Sequence, residues 1–394
     1  MKKQRLRLLA CLAVLSLLTG CWDIKDLQTI NYVTSIGLDY EDGQFIVYAQ
    51  LLDFTSVAKL ESGKVSEPPQ QWVGKGTGAT INLAMNNLYN TMQQKTLWSH
   101  VDSMVVSSSF LENGLTEMAD TLFRFREIRY TPWIYGTSDS IEQIFTTPGF
   151  FNLSKLITLL SEPMDNYEQK SYIAPMKYIR FISEAREPDK TILLPSIVVN
   201  RNQWKRNEQT EKKLAIDGAF AIQNHTLKGW FDKESLTGLR WMESETTRTP
   251  LSIEKDGKTE AVITMGTPKI DIQVLEGTAE PQFSIRIRIN GSVIEMFDSF
   301  TEKELIEKAQ EQIKTELLNT YNKGLKTKAD LYSLEHVLYR EQYPSWKSLH
   351  TGNRFWLHRD SLQSIDVKVF IANSGMLKLH PRKMPREMEG SDNE

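Results

Sequence analysis

The sequence predicts an α+β protein built as two to three mixed sheet-and-helix domains. Three observations carry this expectation. Over the first half, strand-like apolar runs alternate with segments whose apolar residues recur at helical spacing. In the last third, short runs alternate apolar and polar residues, as strands with one wet face do. After those strands comes one long amphipathic segment, opened by Thr301 and Glu304 as a capping-box pair. The chain divides at composition shifts into a leader (1–20), an N-terminal α/β-type domain (21–200), a middle hairpin-helix segment (201–255) and a C-terminal α+β domain (256–394). The last is expected as an antiparallel sheet with a long helix packed on one face.

The leader has a positive start (Lys2, Lys3, Arg5 and Arg7) and an apolar run over residues 8–18. That is the pattern of a secretory signal peptide. The run is about eleven residues, against the roughly 20 needed to cross a bilayer. It closes on Leu18-Thr19-Gly20-Cys21, which resembles the lipobox of bacterial lipoproteins. The resemblance implies that the Cys21 thiol takes a diacylglyceryl group and that the chain is cut before it, with N-acylation of the same residue left open. Two acyl chains hold a protein stably to a membrane where one holds only marginally. The competing reading is an ordinary signal peptide with a chance cysteine. Trp22 follows directly, and its ring suits either the lipid headgroups or the first core.

The remaining elements follow in order. Residues 31–39 and 44–52 read as strands rich in β-branched and aromatic side chains, with Asp42-Gly43 as the hairpin turn. Residues 61–80 are polar and rich in Gly and Pro, which reads as a surface loop. The spacing of Gly74, Gly76 and Gly78 fits neither phosphate-loop pattern. Ile81, Ala84, Leu88 and Met92 share a helical face, residues 101–106 read as a strand, and Leu111, Leu115, Met118 and Leu122 suit a second helix. Residues 131–135 (strand), 138–145 (short helix) and 192–199 (strand) continue the alternation, with mixed helical signals over 146–190. Residues 200–213 are polar and charged, and read as a boundary or exposed loop. Residues 214–222 and 227–231 form a hairpin around Asn224-His225, and residues 234–242 a short helix.

In the last third, residues 261–265, 269–275 and 283–289 alternate as strands, and 293–296 continues the series. The helix from Thr301 buries Ile306, Ala309, Ile313 and Leu317, and Gly324 is expected to stop it. Residues 330–340 make a second helix, and residues 364–372 return as a final strand. The tail from Arg382 is charged and lies outside any core pattern.

Composition narrows the function. Without residues 1–20, four of the 47 basic residues go, leaving 43 against 50 acidic ones, a net of −7. No block of like charge stands out, which argues against a nucleic-acid backbone as partner. The two cysteines are Cys11, lost with the leader, and Cys21, so no disulfide framework holds the exported body. The six histidines (His100, His225, His336, His350, His358 and His380) form no HxxxH or HExxH pair, and His350 and His358 are the nearest two. There is no GxSxG elbow. Glu243 and Glu245 are an unremarkable carboxylate pair. Tyr343-Pro344-Ser345-Trp346-Lys347 is either a recognition surface or an edge of the core. The residues therefore point to no catalytic site, no cofactor and no metal, and to an exported binding or structural protein.

Several segments together resemble the C subunit of spore germinant receptors, the Ger(x)C lipoprotein family. They are Cys21-Trp22-Asp23 with the strand ending Ser35-Ile36-Gly37-Leu38-Asp39, then Ser99-His100-Val101-Asp102 and Phe110-Leu111-Glu112-Asn113-Gly114-Leu115, with Arg124 and Arg126-Glu127-Ile128-Arg129 after them. Ile216-Asp217-Gly218-Ala219-Phe220-Ala221, Lys228-Gly229-Trp230-Phe231 and Leu239-Arg240-Trp241 follow. Lys328-Ala329-Asp330, the Tyr343 to Lys347 run and the last strand, ending near Gly375, complete the order. The resemblance implies a non-enzymatic, lipid-anchored subunit on the outer face of the spore inner membrane. It implies two integral-membrane partners, the A and B subunits, in a complex that senses small nutrients and starts germination. Direct small-molecule binding by this subunit is not implied. The alternative is a solute-binding lipoprotein of a membrane transporter, a class built from two similar α/β lobes.

Overall fold

A computed structural model describes Gln4 and residues 30–52, 70–118, 127–255, 257–277, 280–297, 300–350 and 355–372. Its first half is organised on a ten-stranded sheet. The chain runs β1 (Ile30–Glu41), β2 (Gln44–Leu51), β3 (Trp72–Gly78), α1 (Ile81–Leu88), β4 (Lys95–Leu97), β5 (Ser103–Ser107), α2 (Ser108–Asn113), β6 (Trp133–Thr137), α3 (Ile141–Thr146), α4 (Met164–Gln169), β7 (Met176–Lys177), α5 (Tyr178–Ala185), β8 (Thr191–Arg206), β9 (Gln209–Gln223) and β10 (Thr226–Asp232). The strand order is β10-β9-β8-β6-β5-β1-β2-β3, with β4 on β1 and β7 on β6. The central strands β8, β6, β5 and β1 are parallel, and antiparallel hairpins widen the sheet on both sides.

Both faces of this sheet are covered, so its middle strands are buried on both sides, as all five residues of β5 are. Val47, Met104, Val106 and Ile134 pack with α1, α2 and α5 on one face. Ile46, Val105 and Tyr135, one residue out of phase, pack with α3 on the other. The run of alternate glycines belongs to this packing. A Cβ on Gly78 would lie 2.6 Å from Ala84 N, and one on Gly76 would run into the Ala84 carbonyl oxygen and 2.9 Å from Leu88 Cγ. These glycines let α1 lie against the edge strand. Residues 72–78 of the expected loop are therefore strand β3, whose polar composition reflects its place at the edge; residues 53–69 lie outside the described residues.

A second departure is at residues 200–213. They form a two-stranded ribbon, with Trp204 opposite Glu211 and Arg206 opposite Gln209, closed at Asn207 in the left-handed region. The ribbon is exposed along Arg201 to Arg206, so no apolar alternation marks it.

The second half packs on a five-stranded sheet. A 3₁₀ turn (Thr237–Trp241) leads into β11 (Thr249–Lys255), β12 (Lys258–Met265), β13 (Lys269–Leu275) and β14 (Gln282–Met296), which are antiparallel in the order β11-β12-β14-β13. Helices α6 (Glu302–Thr327), α7 (Leu334–Glu341) and α8 (Tyr343–Leu349) precede β15 (Leu362–Ala372). The hairpin of the middle segment is thus continuous with the first sheet, and β11 with the second.

The expected antiparallel sheet is corrected in one respect: β15 pairs with β14 in parallel, Ile285 opposite Ile365 and Ile287 opposite Val367. The three helices carry the chain back to the starting end of β14, and alternation alone does not encode strand direction. The runs 283–289 and 293–296 are one strand. Helix α6 opens on the Thr301–Glu304 capping box and buries Leu305, Ala309, Ile313 and Leu317 on the second core. Gly324 does not stop it. The helix ends at Lys328, left-handed at φ 56°, whose N–H donates to the Gly324 and Leu325 carbonyls. Gly324 is small because a Cβ there would meet the Ala329 carbonyl. The second helix starts at Leu334 rather than residue 330, with Asp330 accepting from the Glu335 N–H at 2.7 Å.

Candidate functional site

Cys21, its flanking residues, Arg124, Arg126, Gly375, His380 and the tail lie outside the described residues. Of the remaining residues picked from the sequence, Leu239-Arg240-Trp241 and the Tyr343 to Lys347 run fall on two polar junctions that lock the halves of the molecule together.

The first junction surrounds Leu239-Arg240-Trp241. Arg240 is 4% exposed. Its Nη2 donates to both Glu316 carboxylate oxygens at 2.8 Å, and its Nε to Oε2 at 3.2 Å. Nη1 donates to the Pro250 carbonyl at 2.7 Å and to Thr249 Oγ1 at 3.2 Å. Trp241 Nε1 donates to Glu316 Oε2 at 2.8 Å, and the Gly238 N–H to Thr320 Oγ1 at 3.0 Å. Gly238 must be glycine, since a Cβ would sit 2.6 Å from the Tyr332 hydroxyl and 2.7 Å from the Glu316 carbonyl. The motif therefore ties the link between the sheets to α6. A buried guanidinium is tolerable only with its donors filled, as they are here.

The second junction joins the corner turns of the first sheet to α7 and α8. Asp189, left-handed at φ 53°, is its hub. Asn224 Nδ2 donates to Asp189 Oδ1 at 2.6 Å, Trp346 Nε1 to Oδ2 at 2.6 Å, and His350 Nδ1 lies 3.3 Å from Oδ2. Gln223 Nε2 donates to the Asp189 carbonyl at 3.0 Å and to Glu335 Oε2 at 2.8 Å. Ser333 Oγ accepts from the Thr191 N–H at 3.2 Å, and His336 Nδ1 is 2.9 Å from the Pro188 carbonyl, which makes it the donor. Burial pushes the Asp330 and Glu335 carboxyls above the usual range, Glu335 further because Asp330 is beside it. Trp346 also stacks on His350 and meets Tyr339 and Tyr343 edge and face. The aromatic run at 343–347 is thus an inter-unit lock.

Asp189 and Gln223 were not indicated by the sequence. The Pro188-Asp189 dipeptide and the Asn224-His225 turn are ordinary turn signals, and only the fold sets them face to face.

The other candidates resolve as structural parts. Glu243 and Glu245 both pair with Arg180, at 3.3 and 3.4 Å, and Glu184 completes that cluster at 2.9 Å. His350 and His358 do not converge: His358 is 2.9 Å from Ser361 Oγ. His100 meets Tyr32 edge-on at 5.1 Å. In Ser99-His100-Val101-Asp102, the Asp102 N–H donates to the Thr34 carbonyl and its own carbonyl accepts from Trp133, both at 2.8 Å, which sets β5 between β1 and β6. Burial pushes the Asp102 carboxyl up to about 6. Among the described residues no group of three His, Cys, Asp or Glu is placed to hold a metal ion.

The sequence has counterparts over both halves. Residues 23–199 match the family model for the spore germination protein N-terminal domain, and residues 217–375 the model described as spore germination B3/GerAC like, C-terminal. The two matches meet in the β8–β9 ribbon. The chain belongs to the Ger(x)C family of spore germination proteins. It is 23% identical over 342 residues to the putative spore germination protein YfkR of Bacillus subtilis strain 168, covering 84% of this chain and 86% of that one. It is 22% identical over 372 residues to spore germination protein KC of the same organism, covering 87% and 89%. The crystal structure of the GerBC protein overlays with a TM-score of 0.48 at 14% identity, covering 86% of this chain and 97% of that chain.

Proposed function

We propose that this chain is the lipid-anchored, non-catalytic subunit of a nutrient germinant receptor, attached through Cys21 to the outer face of the spore inner membrane and assembled with two integral-membrane subunits of the A and B type. The observation that carries this reading is the Leu18-Thr19-Gly20-Cys21 sequence standing immediately ahead of a family match that begins at residue 23. The nine residues from Cys21 to the start of β1 span at most ~33 Å, so the acyl chains would hold the first sheet near the bilayer surface. Among the described residues no helix is long and apolar enough to cross a membrane. In this reading the acyl chains supply the attachment. The polar junctions fix the halves as one body, which suits a subunit that presents a fixed surface to membrane partners.

Replacement of Cys21 by Ala tests the anchor. The variant should accumulate as an unlabelled precursor when cells are fed radiolabelled palmitate. Spores carrying it should respond poorly to nutrient, and the two membrane subunits should no longer co-purify with it. A normal nutrient response in spores shown to lack the label would overturn the anchoring role.

A further inference from the structure

A cavity of about 530 Å³ opens beside β8 and β9, closed by the segment around α4 and by the turn after β10. Two lysines line it from different elements, Lys170 at the end of α4 and Lys233 after β10. Among the described residues, neither ammonium has a carboxylate within ion-pair distance. Lys170 Nζ lies 5.5 Å from the centroid of the Tyr172 ring. Burial first and then the charge of Lys170 push the Lys233 ammonium below its usual range. Asp217 and Glu234 oppose that shift from outside bonding range. A third lysine on the wall, Lys213, is already answered by Glu211 at 3.5 Å. The wall also carries the Glu234 carboxylate and the rings of Tyr135, Tyr167, Tyr172 and Trp204.

With Lys213 paired to Glu211, Lys170 and Lys233 stand against the single carboxylate of Glu234 on this wall, so the empty cavity is net positive and an entering anion is favoured. The aromatic wall adds a surface for a flat or apolar body, and the volume falls within the usual range for a small-ligand pocket. We propose that this cavity binds a small organic carboxylate, its anionic end between Lys170 and Lys233 and its body against Tyr172 and Trp204. The site is independent of the membrane anchor, and it gives the subunit a ligand that its family membership does not assign.

Titration of the whole detergent-solubilised chain with benzoate, benzamide and inorganic phosphate, followed by calorimetry and by NMR of labelled lysine side chains, tests this. Benzoate should bind saturably and benzamide should not, with benzoate affinity falling as salt is added. The Lys233 ammonium should titrate at higher pH with benzoate bound. Lys170→Gln, on the exposed member of the pair, should weaken benzoate at least tenfold without altering thermal unfolding, and Lys233→Gln should do the same. Lys190→Gln, outside the cavity, should leave binding unchanged. Equal affinity of wild type and Lys170→Gln, absence of saturable benzoate binding, or a preference for phosphate over benzoate would each overturn the proposal.

Discussion

Arg240 concentrates more of the fold's polar contacts than any other side chain described above. Its guanidinium spans the 3₁₀ turn, the start of β11 and helix α6, and lies 4.5 Å from the Trp241 ring and 4.9 Å from Tyr172. Arg240→Ala would leave Glu316 buried without its cation and strand the Pro250 carbonyl. The expected cost is ~3–5 kcal/mol, seen as a lower urea midpoint at unchanged slope. Arg240→Lys should recover only part, because an ammonium cannot meet both carboxylate oxygens and two further acceptors. A change below ~1 kcal/mol in Arg240→Ala would refute the anchoring role given to this residue. The sequence marked Arg240 as a motif member. Its partner Glu316, one of many carboxylates in a helix, carried no local sign of burial.

At the scale of elements, local rules work where one face of the element is buried. Helix α6 was legible from Thr301, Glu304 and the spacing of Ile306, Ala309, Ile313 and Leu317; the structure buries the last three, with Leu305 rather than the half-buried Ile306 completing the face. The β8–β9 ribbon was illegible because wet residues on both sides carry no alternation. Strand β3 was hidden for a different reason, since its glycines answer to the helix lying on it. That packing makes a prediction. In Gly76→Ala the new methyl meets the Ala84 carbonyl, Leu88 Cγ at 2.9 Å and Leu88 N at 3.1 Å. Moving α1 away should cost ~1–3 kcal/mol, read as a lower melting temperature. If the alanine variant melts with the wild type, α1 does not need the close approach and the glycines have another cause.

For the whole molecule, the decisive feature is the junction of the two cores, where Gln223 of the first sheet donates to Glu335 of α7. Burial and the adjacent Asp330 raise the Glu335 carboxyl above its usual value of 4.5. As pH rises past that value the unfolded chain releases the proton while the folded chain still holds it, so stability falls until the folded group also ionises. Glu335→Gln keeps an acceptor for Gln223 and removes the titration. The variant should gain stability over wild type as the pH is raised from about 5 to about 8, and its melting temperature should vary less with pH. An identical pH profile in the two proteins would show that Glu335 is not held protonated at the junction. By itself the sequence determined the kinds of element, most of their places, the Thr301–Glu304 cap and the family, because periodicity, capping and motif order are written in neighbouring residues. Only the tertiary structure decided that β15 runs parallel to β14, that Asp189 meets Trp346, and that Lys170 and Lys233 share a cavity. Those are contacts between residues distant in the chain, and their energy comes from burial and shared charge that no local window contains.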